Sequence, residues 1–181
     1  MERKPIKSEK IDLEILSRYL DELNLLNNDN LNFWLYCKIA MNTGLRSSDI
    51  LKMKISDIDF DKKVIRIIES KTKKPSYIPF NRPQILERIN KTNDFVIWNN
   101  KYQTNVSLMT INRRLKMIYK SKFYISSHSI RKSTANQIYL NSGKDIYAVM
   151  KFLNHSSILV TQRYLGIDEE QRNEMFNTLN Y

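Results

Sequence analysis

The chain has 181 residues, of which 30 are Lys or Arg and 19 are Asp or Glu, so its formal net charge is +11. Its length suits one domain with a sizeable core, and no apolar run approaches the roughly 20 residues that cross a bilayer. The single cysteine, Cys37, excludes an internal disulfide, which favours a reducing compartment, the cytoplasm. A basic balance of this size favours a polyanionic partner such as nucleic acid, although ribosomal and membrane-surface proteins share it.

The first half of the chain predicts helices after a short charged tail, residues 1–9. Leucines at helical spacing predict an amphipathic helix over about residues 11–26, and the apolar stretch 31–41 predicts a buried one. Gly44 suits a left-handed end to that second helix. The serines of "SSDILKMK" suit the N-cap of a short third helix.

The hydrophobic pattern changes to period two after Ile58. "KVIRII" and "SYIPF" predict two antiparallel strands joined by the lysine-rich turn "ESKTKKP", and Pro79 restricts pairing of the second strand. Further helices are expected at about 83–90, along the apolar stripe from Leu108 to Ile118, over 129–140, from Ile146 to Leu153, and near 169–179. The chain is therefore expected to be mainly α with one small antiparallel β-hairpin, an α+β fold.

The candidate phosphate ligands are basic, because the sequence has no phosphate-binding glycine loop and no metal-binding motif. Arg46 follows a glycine turn at a helix start, where backbone N–H groups favour anions, and Asp49 is placed to orient its guanidinium. His128 and Arg131 lie three apart, on one face of a helix. Each pattern taken alone more often marks a surface ion pair or an ordinary helical residue.

Two further patterns are equally ambiguous alone. The hairpin tip carries Lys71, Lys73 and Lys74, which form either a solvated turn or a source of one general acid. His155 is one of two histidines, and Tyr164 follows nine residues later. A tyrosine hydroxyl is a poor nucleophile unless neighbouring cations favour the phenolate. Packing is the simpler interpretation of that pair in isolation.

In combination, "TGLRSSDI", "ESKTKKP", "HSIRKS" and "LNHSSILVTQRY" occur in an order that resembles the tyrosine recombinases, also called the phage integrase family. The resemblance covers residues 10 to 170 and implies the tyrosine recombinase catalytic-domain fold. Asn154 stands where the family has glycine, a change that a helix end tolerates because asparagine can adopt the left-handed region. Lys132 stands where the family often has histidine. The resemblance implies six catalytic residues, with Lys73 as the alternative lysine: Arg46, Lys71, His128, Arg131, His155 and the nucleophile Tyr164.

The resemblance also implies a mechanism without cofactor or metal. Tyr164 would attack a DNA phosphodiester to form a 3′-phosphotyrosine, while the two arginines hold the non-bridging oxygens. Lys71 would protonate the departing 5′-oxygen. His128 would assist proton transfer, and His155 would donate a hydrogen bond to a phosphate oxygen. A 5′-hydroxyl from another strand would reverse the step.

The implied partner is double-stranded DNA, with a monomer in isolation, a homotetramer on DNA, and no membrane. The expected domains are a tail or linker (1–9), a catalytic domain (10–167) and a C-terminal tail helix (168–181) that can dock on a neighbouring protomer. The family's N-terminal core-binding domain is absent, so the chain is expected to be a fragment or a short member. The residues expected to contact DNA are Lys52, Lys73, Lys74, Arg113, Arg114 and Lys132.

Three other functions stay open on the sequence. A type IB topoisomerase-like nicking enzyme would share the chemistry without exchanging strands. A non-catalytic DNA-binding module would not need all six residues, and an RNA-binding protein would expose aromatic platforms. A flexible segment over residues 156–163 would let assembly gate the delivery of Tyr164, so in an isolated domain Tyr164 can lie out of line with the other five.

Overall fold

The computed structural model describes residues 8–120 and 124–167. They divide into two units, the first extending to Ser133 and the second beginning at Thr134. The predicted C-terminal tail helix lies outside the described residues, as does most of the N-terminal tail. Within the described part of the chain, no helix has the length and apolar character that crossing a membrane requires.

The helices of the first unit alternate with two small antiparallel sheets. The helices are α1 (Leu13–Asp21), α2 (Asn28–Thr43), α3 (Ser47–Leu51), α4 (Pro83–Leu86) and α5 (Leu108–Tyr119), and a 3₁₀ turn covers Ile55–Asp57. The strands are β1 (Ile58–Asp59), β2 (Val64–Ile68) and β3 (Pro75–Pro79) in one sheet, and β4 (Trp98–Asn99) and β5 (Thr104–Asn105) in the other. Helix α6 (Ser127–Asn141) begins in this unit.

Helix α2 forms the centre of the first unit's core. Asn27 caps its start by accepting a hydrogen bond from the backbone N–H of Asn30, and Gly44 ends it in the left-handed region at φ 60°. This confirms the predicted glycine end. Tyr36 is fully buried, and its hydroxyl donates to the Ser47 hydroxyl at 2.9 Å. That bond ties α2 to α3, the helix that carries Arg46 at its start.

Three predicted helix boundaries in this unit are wrong, one of them the end of α4, which stops at Leu86 rather than near residue 90. Helix α1 ends at Asp21, because the Asn24 side chain accepts the N–H of Leu26 and offers the backbone a turn instead. Helix α3 is capped by Arg46 rather than by a serine, since Ser47 is already inside the helix as the partner of Tyr36.

The predicted hairpin is confirmed as β2 and β3, with β1 added on the other side of β2. Pro79 lies on the edge strand opposite Val64, where its missing N–H costs no pairing within the sheet. The turn is closed by two backbone bonds of 2.9 Å, from Glu69 N–H to the Lys74 carbonyl and from Lys73 N–H to the Glu69 carbonyl. Strands β1, β4 and β5 were not predicted, because two-residue strands leave no periodicity to detect.

The second unit contains the end of α6, together with α7 (Ile146–Phe152) and α8 (Ile158–Leu165). Its core is built from Ala135, Val149, Leu153 and Leu165. Ser157 caps α8 by accepting the N–H of Val160, and a left-handed Gly166 ends the helix. Most of the segment expected to be flexible, residues 156–163, therefore belongs to a capped helix.

Candidate active site

Arg46 lies at the N-cap of α3, directly after the glycine turn, as predicted. Its Nη1 donates to the Glu69 carboxylate at the end of β2, which is only 2% exposed. The expectation that Asp49 orients this guanidinium is wrong. Asp49 Oδ1 instead accepts the backbone N–H of Ser70 at 2.8 Å, because the hairpin turn lies against α3 and presents that N–H to the carboxylate.

Arg131 is brought to the same glycine turn from α6. It is buried, and its Nη1 donates to the carbonyl oxygen of Gly44. Because Gly44 precedes Arg46 by two residues, this bond places the two arginines around one turn of the chain. A guanidinium offers five N–H donors, so a bond to one carbonyl leaves most of the Arg131 fork to other partners.

His128 lies one helical turn before Arg131. Its pKa is lowered from the ordinary value of 6.5, first because protein partly screens the ring from water, and then because Arg131, Lys71 and Arg46 are close enough to disfavour a further positive charge. The sequence-predicted residues of the first unit therefore converge. We call this set the cationic centre: Arg46, Lys71, His128 and Arg131.

The structure also separates the hairpin lysines. Lys71 and Lys73 are both exposed, but only Lys71 is among the charges that lower the pKa of His128. Lys73 holds the left-handed position of the turn, at φ 58°. The effect of Lys71 on the pKa of His128 therefore favours Lys71, rather than Lys73, as the lysine of the site.

In the second unit, the end of α7 positions His155. The N–H of Asn154 donates to the carbonyl of Lys151 at 3.1 Å, and that of His155 to the carbonyl of Met150 at 3.0 Å. These are the two bonds of a Schellman motif, with Asn154 in its left-handed position at φ 53°. Asparagine therefore fills the place of the family's usual glycine, as the sequence suggested.

His155 and Tyr164 meet within this unit. Their rings lie edge to face, with centroids 5.5 Å apart and an interplanar angle of 80°. His155 Nδ1 lies 3.1 Å from the hydroxyl of Thr161, which is fully buried and donates to the Ser157 carbonyl at 3.3 Å. The helix that carries Tyr164 therefore also fixes the histidine ring. The expected displacement of Tyr164 from the cationic centre stays a prediction.

Comparison with known proteins assigns most of this chain to one family. A family model described as the phage integrase family matches residues 12–171. The chain belongs to the phage integrase family. It is 31% identical over 177 residues to a probable integrase/recombinase of Acholeplasma phage L2, covering 93% of this chain and 60% of that protein.

Solved structures of this family show the same fold. A XerH site-specific recombinase bound to its difH substrate, in a pre-cleavage complex, aligns with a TM-score of 0.72 at 18% identity, over 98% of this chain and 56% of that chain. A lambda integrase dimer bound to a COC′ core site aligns with a TM-score of 0.67 at 21% identity, over 91% and 49%. This chain thus has the tyrosine recombinase catalytic-domain fold, and spans between 49% and 60% of these three relatives.

The residues expected to contact DNA differ in their surroundings. Lys52, Lys73 and Arg113 are exposed, and Lys74 is half-buried. The half-buried Lys132 donates to the Ser8 carbonyl at 3.5 Å.

Arg114 is half-buried and packs against α2. Its guanidinium lies 4.5 Å from the centre of the Phe33 ring, and it donates to Asn30 Oδ1 at 2.6 Å. Through these contacts Arg114 packs α5 against α2. Its contact with DNA stays a prediction.

Sequence reasoning missed Glu69 and Thr161, whose side chains hold the predicted site residues Arg46 and His155. Glu69 adjoins the "SK" box and could have been found by asking which acid balances a buried arginine. Thr161 gave no comparable signal, because a threonine in a β-branched run resembles a packing residue. Among the described residues, no group of three His, Cys, Asp or Glu side chains is arranged to hold a metal ion.

Proposed function

We propose that this chain is the catalytic domain of a site-specific DNA recombinase, which cleaves and rejoins DNA strands through a 3′-phosphotyrosine at Tyr164. The observation that carries the proposal is the placement of Arg46 and Arg131 around one turn of the chain, with His128 one helical turn before Arg131, since such a centre is built to hold an anion. The contact between His155 and Tyr164 adds a nucleophile beside a further phosphate ligand.

In this proposal the cationic centre holds one phosphodiester. Arg46 and Arg131 bind the non-bridging oxygens, where negative charge grows in the transition state, and preorganised donors of this kind contribute about 10²–10³ in rate each. Lys71 protonates the departing 5′-oxygen. His128, whose pKa is lowered from the ordinary 6.5 so that the ring is neutral at pH 7, accepts the proton that the Tyr164 hydroxyl loses as it attacks.

The second unit supplies the attack. Tyr164 Oη forms a bond to phosphorus as the bond to the 5′-oxygen breaks, so a phosphodiester is replaced by a phosphotyrosine of similar energy. His155 donates Nε2–H to a phosphate oxygen as the imidazolium, because its Nδ1–H is given to the Thr161 hydroxyl, whose own proton goes to the Ser157 carbonyl. Because one ester replaces another, the proposed reaction consumes no nucleotide. It also draws on no metal, since arginine and lysine side chains already carry positive charge.

We propose double-stranded DNA as the partner, with a homotetramer on DNA and a monomer in isolation. The net charge of +11 supports binding to DNA, and the XerH and lambda integrase structures are complexes with a difH substrate and a COC′ core site. We also propose that residues 10–167 form the catalytic domain, that 1–9 and 168–181 are tails of which the second docks on a neighbouring protomer, and that the protein acts in the cytoplasm.

The proposal is tested by capturing the covalent intermediate on DNA of randomised sequence, so that the protein itself selects its target site. The protein is incubated with nicked duplexes from this pool, adducts are isolated on a denaturing gel, and the attached DNA is sequenced. We expect an adduct that is lost in Tyr164→Phe. It should persist in Tyr147→Phe, which removes the hydroxyl of an exposed tyrosine in the same unit.

The alternatives give different results in the same experiment. A DNA-binding module gives no adduct with any duplex. A nicking enzyme gives the adduct but does not join the captured strand to the 5′-hydroxyl of a second duplex, whereas a recombinase joins it. An adduct that persists in Tyr164→Phe would refute the assignment of the nucleophile.

A further inference from the structure

Glu69 is a buried acid inside a basic site. It is 2% exposed, and the donors to its carboxylate include the side chains of Arg46, Thr72 and Ser76. Oε2 accepts from Arg46 Nη1 and, at 3.1 Å, from the Thr72 hydroxyl, while Oε1 accepts from the Ser76 hydroxyl at 2.7 Å. Both oxygens of the carboxylate are therefore held in place by named donors.

The position of this carboxylate is fixed by the hairpin. Thr72 belongs to the turn and Ser76 to β3, and the backbone of Glu69 itself closes the turn through its bonds with Lys73 and Lys74. The next residue, Ser70, donates its N–H to Asp49 on α3. One hydrogen bond thus runs from Arg46, at the start of α3, to Glu69, and another runs from the turn back to Asp49 of α3. Because the turn is fixed to α3 in this way, the Glu69 carboxylate stays in place and holds the Arg46 side chain.

The bond leaves Arg46 able to bind an anion. Nη1 carries two of the five guanidinium N–H groups, so a carboxylate on Nη1 restrains the fork without occupying all of it. A restrained guanidinium loses less freedom when it meets a phosphate, and positioning of this kind accelerates the chemical step more than it tightens binding. The negative charge of Glu69 repels the phosphates of DNA and lowers the affinity for DNA, so Glu69 does not serve to attract DNA.

We infer that Glu69 is a positioning residue for the strand-cleavage reaction, which it serves by fixing the Arg46 guanidinium for the scissile phosphate; the inference rests on the function proposed above. It predicts that Glu69 acts on the rate of cleavage at saturating DNA and through Arg46. A latch, in which Glu69 competes with phosphate for Arg46, predicts the reverse, since its removal would speed cleavage.

The test compares Glu69→Ala and Glu69→Gln with wild type. Single-turnover cleavage is measured at saturating DNA on a site obtained from the adduct capture, and DNA affinity is measured separately in a Tyr164→Phe background. We expect the cleavage rate to fall about 10–100-fold in Glu69→Ala and less in Glu69→Gln, which keeps the shape and one acceptor oxygen. The dissociation constant should change less than about threefold, or decrease.

A double-mutant cycle distinguishes positioning from a structural role. In an Arg46→Ala background, Glu69→Ala should slow cleavage less than about threefold further, because the residue through which it acts is gone. An equal fold-loss in both backgrounds would show that Glu69 merely supports the fold. If Glu69→Ala does not fold, the isosteric Glu69→Gln carries the same cycle.

The remaining outcomes are decisive as well. Cleavage at the wild-type rate, or faster, in both Glu69 variants overturns the inference while leaving the proposed function intact. Absence of any Tyr164-dependent adduct from wild-type protein refutes the proposed function itself. The wild-type reaction therefore separates the two kinds of failure before any Glu69 variant is measured.

Discussion

The cationic centre of the first unit and the His155–Tyr164 pair of the second are built in opposite ways. The cationic centre draws on α3, the β2–β3 turn and α6, and its key bonds join residues far apart in sequence, such as Arg131 and Gly44. The His155–Tyr164 pair uses ten residues of continuous chain, from the end of α7 to the last turn of α8. The first construction depends on tertiary packing, whereas the second depends mainly on local backbone geometry.

This difference bears on what each region can do. A centre fixed from three elements is preorganised, so its donors need little reorganisation when charge develops on a phosphate. A nucleophile carried by one short helix changes position with that helix. In the proposed reaction, the cationic centre therefore binds the phosphate, and helix α8 delivers the nucleophile.

The largest expected effect comes from removing Arg131. Arg131→Gln should slow strand cleavage about 10²–10³-fold, because a donor to the phosphate is lost. It should also lower the free energy of unfolding by about 1–3 kcal/mol, since the Gly44 carbonyl loses its partner. Single-turnover cleavage and urea denaturation measure the two effects.

The matched control is Arg66→Gln, which makes the same change of charge in the first unit. Arg66 forms a surface pair with Asp59 at 2.8 Å and is 48% exposed. Its loss should change the free energy of unfolding by less than about 0.5 kcal/mol and leave the cleavage rate near that of wild type. Equal effects of the two variants would mean that net charge, rather than the geometry of the centre, governs the reaction.

A smaller effect is expected in the second unit from Thr161. Thr161→Val removes the hydroxyl that holds Nδ1 of His155, so the ring loses its fixed orientation toward a phosphate oxygen. Cleavage should slow about tenfold, corresponding to the loss of one hydrogen bond. Thr161→Ser retains the hydroxyl and should restore most of the rate. A rate that follows side-chain volume instead, with Val active and Ser slow, would assign Thr161 to packing.

The pH behaviour of His128 tests which hairpin lysine belongs to the cationic centre. Lys71→Gln removes a positive charge that disfavours protonation, so it should raise the pKa of His128 toward, but not to, the ordinary 6.5, because burial and two arginines remain. Lys73→Gln is the control and should leave the pKa unchanged. NMR titration of the imidazole resonance is practical because the chain has only two histidines. The opposite ranking would move the general acid to Lys73.

The same lowered pKa sets a direction for stability. The unfolded chain binds the His128 proton more readily than the folded protein does, so the stability contributed by neutral His128 is present above pH 6.5. It is lost as the pH falls through the lowered pKa.

The features that the sequence predicted well are those determined within a few residues. Gly44 and Asn154 were expected in left-handed positions because each follows a helix that must end, and both are found there. The fold class was predictable for the same reason, since long helices and one hairpin carry clear periodicities. The contact between His155 and Tyr164 needs only the end of α7 and the short helix α8 that follows it.

The features that could not be predicted depend on long-range neighbours. Asp49 was the nearest acid to Arg46 in sequence, but the hairpin brings Glu69 to the guanidinium from 23 residues away. Arg114 looked like a surface cation on α5, yet α2 supplies the Phe33 ring on which it packs. In both cases sequence distance misled, because the competing partner arrives only when the elements pack.

The smallest expected effects compare left-handed backbone positions in the two regions. Lys73 in the turn and Asn154 after α7 both have positive φ, which costs a side chain with a Cβ more than it costs glycine. Lys73→Gly should raise the free energy of unfolding by up to about 1 kcal/mol. Asn154→Gly should raise it by about half as much, because asparagine tolerates this region better than lysine does. Urea denaturation curves with unchanged slopes measure both.

Asn154→Ala provides the contrasting substitution, and should lower the free energy of unfolding by about 1 kcal/mol because alanine has neither the tolerance nor the local hydrogen bonding of asparagine. It should also slow cleavage, since strain at Asn154 displaces His155, the residue that closes the Schellman motif. Lys73→Gly, by contrast, leaves the bonds of Glu69 to Thr72 and Ser76 in place and should not slow cleavage. If Asn154→Ala destabilises the protein without slowing cleavage, the end of α7 supports the fold alone, and the orientation of His155 is set by Thr161.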